Sequence, residues 1–280
     1  MAVGILTLMV FGLVQCQFVV VGGVFVMTTI DDPQGLLEYI PANDGLLKRL
    51  QEAKVAIDRG HRFSITQYYA KEVLKGDAQH PLLSAVLPGL DDLDVEEGIH
   101  ESVEQARVSS SALMIQKYAP NSILTLTQGC AQQCSYCFRK QHDPLSVDDK
   151  GVKGAIDDIA RTDERYVELI LSGGDPLMAP KRRLSYVADL LDEVREHKHL
   201  VVGLNTRVPI VAPYLLDEEM CRIVGRIRPA NIGLHILHPD EVTDGFLQAC
   251  YGLRDSAHPP NLRTTHPIFS GINDDAKLLS

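Results

Sequence analysis

The sequence lacks an excess of basic residues. It has 27 Lys and Arg against 37 Asp and Glu, a formal net charge of -10 and a pI near 5.4. This balance argues against a broad nucleic-acid surface and favours small molecules or proteins as substrates. The six cysteines show no regular pairing, so no disulfide framework is indicated and a reducing compartment, the cytoplasm, is expected. A chain of 280 residues suits one large domain, or one domain with a helical extension.

Charge is absent from the first 26 residues, MAVGILTLMVFGLVQCQFVVVGGVFV. The stretch is long enough to span a bilayer. It lacks the Lys or Arg flank of a signal peptide or a positive-inside anchor, and Asp31 and Asp32 follow it. Met27 then begins MTTIDDPQ, which reads as a cytosolic start. Two interpretations of residues 1–26 stay open: an upstream extension from a misplaced start, and a membrane anchor.

A cluster of three cysteines lacks a fourth. Cys130, Cys134 and Cys137 lie in GCAQQCSYCFRK, and Cys221 and Cys250 are isolated. The C-x3-C-x2-C spacing supplies three thiolates to a cubane iron-sulfur cluster and leaves one iron open, whereas a structural 4Fe-4S cluster takes four cysteines. A zinc site needs a fourth Cys or His, typically from a second pair. The spacing therefore favours a cluster built for chemistry over a zinc site or a disulfide.

Apolar residues at helical spacing dominate the first part of the chain. LLKRLQEAKVAI illustrates the pattern, which runs from about Leu36 to Gln116 and predicts an N-terminal helical region over residues 27–116. Within it, HRFSITQYYAKEVLKG is expected to be a helix that stops at Gly76. The acidic run DDLDVEEG (Asp91 to Gly98) is expected to be a solvated linker.

Short β-rich runs alternate with helical ones over residues 117–280. The apolar runs are SILTLT, VELILS, LVVGLNT, NIGLHIL and LRTTHPIF. This alternation predicts an α/β fold with a parallel sheet. The cysteines follow the first run, GGD the second and NTR the third, and motifs at the carboxyl ends of strands are typical of a (β/α) barrel. A Rossmann sheet would need a glycine fingerprint after the first strand, which Gly129 alone does not provide.

The second motif, LILSGGDPL, leaves its strand through two glycines. Gly173 and Gly174 would let the backbone approach a ligand closely, and Asp175 would take a ligand amino group or hydroxyl. GGDP taken alone is more often a plain turn. Its position one strand after the cysteines favours a ligand-binding turn.

Six ordered motifs resemble the lysine 2,3-aminomutase group of the radical S-adenosylmethionine (SAM) enzymes. They lie between Ser64 and Asp275, about three quarters of the chain. They are SITQYYAKEVLKG with HPLLSAVLPG, CAQQCSYCFRK, LSGGDPL, NTRVPIVAP, HILHPDEVT and SGINDD. The resemblance implies an incomplete radical SAM (β/α) barrel, or partial TIM barrel, preceded by an N-terminal helical region.

The resemblance also implies a reaction. A reduced 4Fe-4S cluster donates an electron to SAM at the open iron, giving methionine and a 5'-deoxyadenosyl radical that abstracts hydrogen from the substrate. The substrate is an α-amino acid, with L-lysine the first expectation, held as an aldimine of pyridoxal phosphate (PLP). Its amino group moves from carbon 2 to carbon 3, so the chain is expected to be an isomerase in which the cofactors carry the chemistry.

Site residues follow from the same resemblance. Cys130, Cys134 and Cys137 match the cluster ligands, and Gly173, Gly174 and Asp175 match the SAM-binding turn. Arg139 matches the arginine that binds the substrate carboxylate, for which a guanidinium fork is suited. Arg207, His235 and His238 fall on segments expected to line the SAM or PLP pocket.

One departure concerns PLP. The family's PLP lysine, and the carboxylates that select lysine's side-chain amine, lie beyond the point equivalent to Ser280, and Lys140, Lys181 and Lys277 have no matching context. A fragment of a longer protein and a degenerate homologue are the two explanations, and either leaves the barrel with an open edge.

Alternative functions stay open at this point. A related aminomutase would act on glutamate, arginine or a protein lysyl side chain. A catalytically dead chain would bind only iron-sulfur or SAM, and a membrane-associated electron-transfer module would use residues 1–26 as its anchor. The expected partners are an amino acid substrate and an electron donor such as flavodoxin or ferredoxin, with no nucleic acid. The oligomeric state, including a homo-oligomer, is left open.

Overall fold

The structure, a computed structural model, describes residues 20–21, 24–25, 27–90, 109–111, 113–118, 120–137, 139 and 145–277. Most of the apolar stretch 1–26 and all of the acidic run 91–98 lie outside these residues. Within 1–26 only the short antiparallel strands β1 (Val20–Val21) and β2 (Val24–Phe25) are described. In the described parts of the chain, no helix is both long and apolar enough to cross a membrane. The two interpretations of residues 1–26 stay predictions.

A seven-stranded sheet organises the chain, in the order β11-β10-β9-β8-β7-β6-β5. From β7 to β11 neighbouring strands run parallel, while β5 and β6 continue the sheet antiparallel beyond β7. The alternation predicted from the sequence is confirmed as an open α/β sheet with five parallel strands. Its strands are β5 (Ser109–Ser111), β6 (Met114–Tyr118), β7 (Asn121–Thr127), β8 (Tyr166–Gly173), β9 (His199–Thr206), β10 (Asn231–Leu234) and β11 (Asn261–Thr264).

The helices begin at side chains that cap their first turns. Asp148, Asp217 and Thr243 each accept a hydrogen bond from a backbone N–H three residues on. Between the strands lie α3, α4, α6 and α7, with the short α5 after β9. The helices are α1 (Asp44–Asp58), α2 (Leu83–Val86), α3 (Asp149–Arg161), α4 (Lys181–Arg195), α5 (Val208–Val211), α6 (Glu218–Ile227) and α7 (Asp244–Arg254).

The core lies between the sheet and these helices. Val167, Leu169 and Leu171 alternate along β8 and are buried, while the residues between them are half-buried. The three side chains share one apolar cluster with residues of α3 and α4, such as Ile156 and Leu191. Alternation along β8 therefore turns one face of the sheet toward the helices.

The N-terminal region is helical in part. The short strands β3 (Thr29–Ile30) and β4 (Ile65–Thr66) pair antiparallel, and a π-helical turn follows at Tyr69–Val73. Gly76, expected as a stop, lies just beyond that turn with a φ of +73°. The end of the expected helical stretch is different, because β5 and β6 occupy it. β6 pairs antiparallel with β7, the next strand in the sequence, and this pairing overrides a weak local helical pattern.

We expect Leu171→Ala to lower the free energy of unfolding by about 2–5 kcal/mol, because it leaves a cavity beneath the central strand. Leu171 is fully buried, and Leu247 on α7 is 40% exposed. Leu247→Ala is the matched control and should change stability by no more than about 0.5 kcal/mol. Urea unfolding followed by circular dichroism measures both. Equal losses would show that β8 does not hold the core as described.

Candidate active site

The predicted site residues follow four neighbouring parallel strands. The cysteine loop (residues 130–137) follows β7, Asp175 follows β8, Arg207 follows β9, and His235 follows β10. Because the carboxyl ends of parallel strands meet at one edge of a sheet, these residues lie on the same edge. The topology therefore brings the separate motifs together.

The cysteine loop is held by the N-terminal region. Gln133 N donates to Ser64 O at 2.8 Å, Ser135 N donates to Ala85 O at 3.0 Å, and the Ser135 hydroxyl donates to Ser84 O at 2.9 Å. Ser64 directly precedes β4, and Ser84 and Ala85 belong to α2. The N-terminal region therefore holds the loop in place. Its conformation depends on contacts that span a large separation in sequence.

The three thiols are free and interact electrostatically with one another. Burial raises the pKa of the Cys130 thiol, and the Asp175 carboxylate and the other two cysteines raise it further. Burial also raises the pKa of Cys134, against the opposing effect of Arg207. A thiol that coordinates a positively charged centre is deprotonated. The donor set therefore fits a thiolate-bound metal centre.

The spacing of the sulfur atoms separates the two kinds of centre. Tetrahedral zinc with Zn–S bonds of about 2.3 Å would hold its thiolates about 3.8 Å apart. Among the described residues, the one group of three His, Cys, Asp or Glu whose ligand atoms lie within 4.8 Å of one another does not include these cysteines. A cluster with one cysteine on each of three irons needs wider spacing than a single ion does. Three thiols without a described fourth ligand suit an iron-sulfur cluster with one open iron.

The two glycines of the GGD motif lie against the cysteine loop. A Cβ at Gly173 or Gly174 would overlap the carbonyl oxygens of Thr127 and Gly129. Gly174 N donates to Thr127 O at 2.7 Å, and Asp175 N donates to Gly129 O at 2.8 Å. The close approach predicted for these glycines is present, but in this structure it is to the protein backbone and it positions the start of the cysteine loop.

Asp175 is buried and its carboxylate is occupied by protein donors. Its oxygens accept from the Thr206 hydroxyl at 2.8 and 2.9 Å, from Arg207 N at 2.7 Å and from Leu177 N at 3.1 Å. Burial raises the pKa of Asp175, and these hydrogen bonds act against that rise. The group expected to take a ligand amine thus joins the ends of β8 and β9.

Arg207 is the centre of a buried polar network. Its guanidinium donates to Glu241 Oε1 at 2.6 Å, to His235 O at 2.9 Å and to the Tyr136 hydroxyl at 3.1 Å. The Tyr69 hydroxyl donates to the same Glu241 oxygen at 2.7 Å. Burial acts to lower the pKa of Arg207, but Glu241 together with Tyr136, Cys134 and Tyr69 outweighs it and holds the pKa well above its usual range. Nε of Arg207 has no hydrogen-bond partner in the described structure, so one donor is left for an added group.

Sequence reasoning missed Glu241, Tyr69 and Tyr136. Glu241 lies in the polar segment PDEVTD, whose composition predicts a solvent-exposed carboxylate. Tyr69 resembles an ordinary apolar residue of a helix. The one available signal was Tyr136, which lies between two of the cysteines.

Arg139 lies within electrostatic reach of Cys137 and Cys130. Burial lowers the pKa of Arg139, and the two thiols act in the opposite direction. The structure therefore places the predicted carboxylate-binding arginine beside the cysteine loop.

The two predicted histidines have different surroundings. His235 lies near Arg207, and burial followed by the Arg207 charge lowers its pKa. His238 turns toward the N-terminal region, where its ring lies 5.5 Å from that of His80. Asp240 Oδ2 is 3.2 Å from His80 Nε2 and 3.1 Å from His238 Nδ1. His238 therefore belongs to a contact between the N-terminal region and the loop after β10.

This His80–His238–Asp240 group has metal-ligand residue types, and its ligand atoms lie within 4.8 Å of one another. Leu82 N donates to His80 Nδ1, which leaves the ring proton on Nε2 facing Asp240. A metal-bound histidine instead donates from its other nitrogen. Lys75 Nζ also lies 3.6 Å from Asp240. The group is therefore a hydrogen-bonded contact between the N-terminal region and the loop after β10, and not a metal site.

Lys181, which has no matching context in the family resemblance, does not suit an aldimine in the structure either. Its ammonium lies 2.7 Å from Asp217 and 2.6 Å from Glu219. Burial acts to lower its pKa, but hydrogen bonds to these carboxylates raise it. A lysine that attacks a carbonyl must be neutral. Lys181 therefore does not fit a PLP lysine, and Lys140 lies outside the described residues.

We expect Gly174→Ala to reduce the iron bound after anaerobic reconstitution, because the new Cβ displaces the backbone at Gly129 and with it Cys130. The overlap should also cost about 1–3 kcal/mol of stability. Gly154 on α3 has open space around its Cβ position, so Gly154→Ala is the control and should stabilise the protein by about 0.4–1 kcal/mol. Iron and sulfide analysis measures the first effect, and full iron content in Gly174→Ala would contradict it.

Stability should fall at acidic pH. Burial lowers the pKa of His80 more than Asp240 raises it, so the folded chain binds this proton less readily than the unfolded chain does. The contribution is present above the ordinary histidine pKa of about 6.5 and is lost as the pH falls from there to the lowered folded value. Urea unfolding at several pH values gives the free energy of unfolding as a function of pH. Below pH of about 6.5 this free energy should fall less steeply for His80→Gln than for the wild type. The exposed His258→Gln is the control, and an unchanged slope in His80→Gln would refute the assignment.

Comparison with known proteins supports the cluster assignment. Residues 122–206 match the family model described as a 4Fe-4S single cluster domain. That match runs from β7 to the end of β9 and contains the three cysteines and the GGD motif.

Curated relatives extend over most of the chain. The L-lysine 2,3-aminomutase of Haemophilus influenzae is 28% identical over 256 residues, covering 89% of this chain and 72% of the relative. That of Clostridium subterminale is 27% identical over 258 residues, covering 89% and 59%. The glutamate 2,3-aminomutase of Clostridioides difficile is 24% identical over 233 residues, covering 82% and 54%. The chain thus spans little more than half the length of several relatives. The resemblance that its motifs indicate is confirmed: the chain is related to the lysine 2,3-aminomutases among the radical SAM enzymes.

Proposed function

We propose that this chain carries the radical-generating core of a SAM-dependent aminomutase, an isomerase that moves the amino group of an α-amino acid from carbon 2 to carbon 3. The observation that carries the proposal is the set of three free thiols in one loop beside Arg139, on the sheet edge where Arg207 and His235 also lie. A thiol set without a described fourth ligand suits a cluster that binds a substrate.

Cys130, Cys134 and Cys137 would hold the 4Fe-4S cluster. When bound and reduced, the cluster supplies the electron that cleaves SAM to methionine and a 5'-deoxyadenosyl radical. The protein's part is to hold the cysteine loop in one conformation, to which the hydrogen bonds to Ser64 O and Ala85 O contribute. Gly173 and Gly174 fix the start of the cysteine loop and leave the edge beside it for the methionine end of SAM.

Arg139 would bind the substrate carboxylate. Its guanidinium is partly buried next to the cysteine loop, where a charge-assisted bidentate contact is stronger than in water. Lysine and glutamate both carry an α-carboxylate, so Arg139 would place the reacting carbons without choosing between them. L-lysine is the first substrate to test, and glutamate, arginine and a protein lysyl side chain follow it.

PLP belongs to this proposal only as a cofactor of the complete reaction. Lys181 does not suit it, since it is engaged by Asp217 and Glu219. A second candidate function is an iron-sulfur and SAM-binding protein that does not move an amino group. A one-electron donor of the flavodoxin or ferredoxin type is the proposed partner, and the cytoplasm is the proposed location.

The test is anaerobic incubation of the reconstituted chain with dithionite and SAM, following 5'-deoxyadenosine with and without lysine and PLP. We expect release of 5'-deoxyadenosine from the wild type. Arg139→Ala should keep SAM cleavage. Its affinity for lysine, measured from the lysine concentration that gives half of the effect on 5'-deoxyadenosine release, should fall roughly tenfold or more, as expected for one lost charged contact. Formation of β-lysine would separate the aminomutase from the second candidate.

Arg182→Ala is the matched control, because Arg182 is exposed and pairs with Asp149 on the helical side of the sheet. It should behave as the wild type does. Equal loss of SAM cleavage and lysine dependence in Arg139→Ala would mean that Arg139 is structural. Absence of 5'-deoxyadenosine from a chain with a full complement of iron would refute the proposed function.

A further inference from the structure

Glu241 is a fully buried carboxylate that no step of the proposed reaction uses. Its Oε1 accepts from the Tyr69 hydroxyl at 2.7 Å and from Arg207 at 2.6 Å, and its Oε2 accepts from Leu237 N at 2.6 Å. Both oxygens are therefore fixed by donors from different segments. A buried charge that is this well satisfied holds its partners in one arrangement.

Arg207 carries the network on to the cysteine loop. The nitrogen that is not on Glu241 donates to the Tyr136 hydroxyl at 3.1 Å and to His235 O at 2.9 Å. Tyr136 lies two residues after Cys134 in the cysteine loop, and its hydroxyl and the Cys134 thiol interact. Hydrogen bonds thus run from Glu241 through Arg207 to Tyr136. Tyr136 precedes one predicted cluster ligand, Cys137, and interacts with another, Cys134.

Such a path matters for a redox centre. One-electron reduction of a cluster takes an electron from an external reductant, breaks no bond to the protein and adds one negative charge that is shared by the sulfur atoms. A hydroxyl that donates to a ligand sulfur, and a cation behind it, stabilise that charge and so raise the reduction potential. Glu241 acts in the opposite sense, because its negative charge partly cancels that of Arg207.

We infer that the Tyr136 hydroxyl and Arg207 tune the reduction potential of the cluster through Cys134, and that Glu241 is the positioning residue that aims Arg207 and limits its effect. This inference rests on the proposed function, since it requires that Cys130, Cys134 and Cys137 bind the cluster. It gives the loop after β10 and the π-helical turn at Tyr69 a role in the electron-transfer step.

The ring of Tyr136 has a packing role that must be kept apart from that of the hydroxyl. It lies 4.8 Å from the Phe269 ring. Tyr136→Phe keeps this contact and removes only the hydroxyl. Tyr166→Phe is the matched control, because Tyr166 begins β8 at the opposite edge of the sheet, where it stacks on His199 at 5.5 Å.

The experiment is an anaerobic redox titration of the reconstituted full chain without SAM, followed by visible absorbance and electron paramagnetic resonance. We expect Tyr136→Phe to bind as much iron as the wild type and to show a more negative midpoint potential, with Tyr166→Phe unchanged. Glu241→Gln, which removes the opposing charge, should shift the midpoint in the positive direction. The opposite signs distinguish tuning from general damage to the site.

A fully loaded Tyr136→Phe protein with the wild-type potential would overturn the inference, whether or not Glu241→Gln folds. A negative shift of equal size in Tyr166→Phe would overturn it as well. Failure of the wild type to take up iron would instead refute the proposed function, and the inference would fall with it.

Discussion

Parallel pairing of β7, β8, β9 and β10 is the constraint on which the candidate site depends. Leu171 of β8 lies opposite Leu124 of β7 and Leu204 of β9, so three strand ends stay level with one another. A different set of groups follows each strand: the thiols follow β7, the glycine turn with Asp175 follows β8, and Arg207 follows β9. A shift of register by one residue would turn every side chain on a strand to the other face. The apolar core between the sheet and the helices therefore also specifies the chemistry at the sheet edge.

The two buried carboxylates at this edge are stabilised by the hydrogen bonds that they accept. Asp175 and Glu241 are both buried carboxylates, and each accepts hydrogen bonds from at least two different segments. Removing one partner of such a group costs several kcal/mol, because an uncompensated charge is left in a medium of low dielectric constant. The hydrogen bonds of these carboxylates make the ends of β8, β9 and β10 rigid. Rigid ends are what a site with a radical reaction needs, since a small displacement of a reacting group lowers the rate strongly.

Local patterns predicted the parts of the structure that local physics decides. The parallel strands follow from apolar runs between helical segments, and the cysteines follow from the spacing that a cluster requires. Asp175 was identified as important, but the sequence does not show that Thr206 and Arg207 occupy its oxygens, because those contacts join separate strands. Glu241 was missed for the same reason. β6 was missed because its stability comes from pairing with β7, which a helical pattern of residues does not reveal.

The hydrogen bonds from Gln133 and Ser135 to Ser64 O and Ala85 O have a thermodynamic consequence. They make docking of the N-terminal region and closure of the cysteine loop two linked equilibria. Whatever binds to the closed loop must also favour the docked region, and by reciprocity docking must increase the affinity of the loop by the same factor. Hydrogen exchange of the amides near β4 and α2 should therefore slow when the cysteine loop binds its ligand, although neither element supplies a ligand atom.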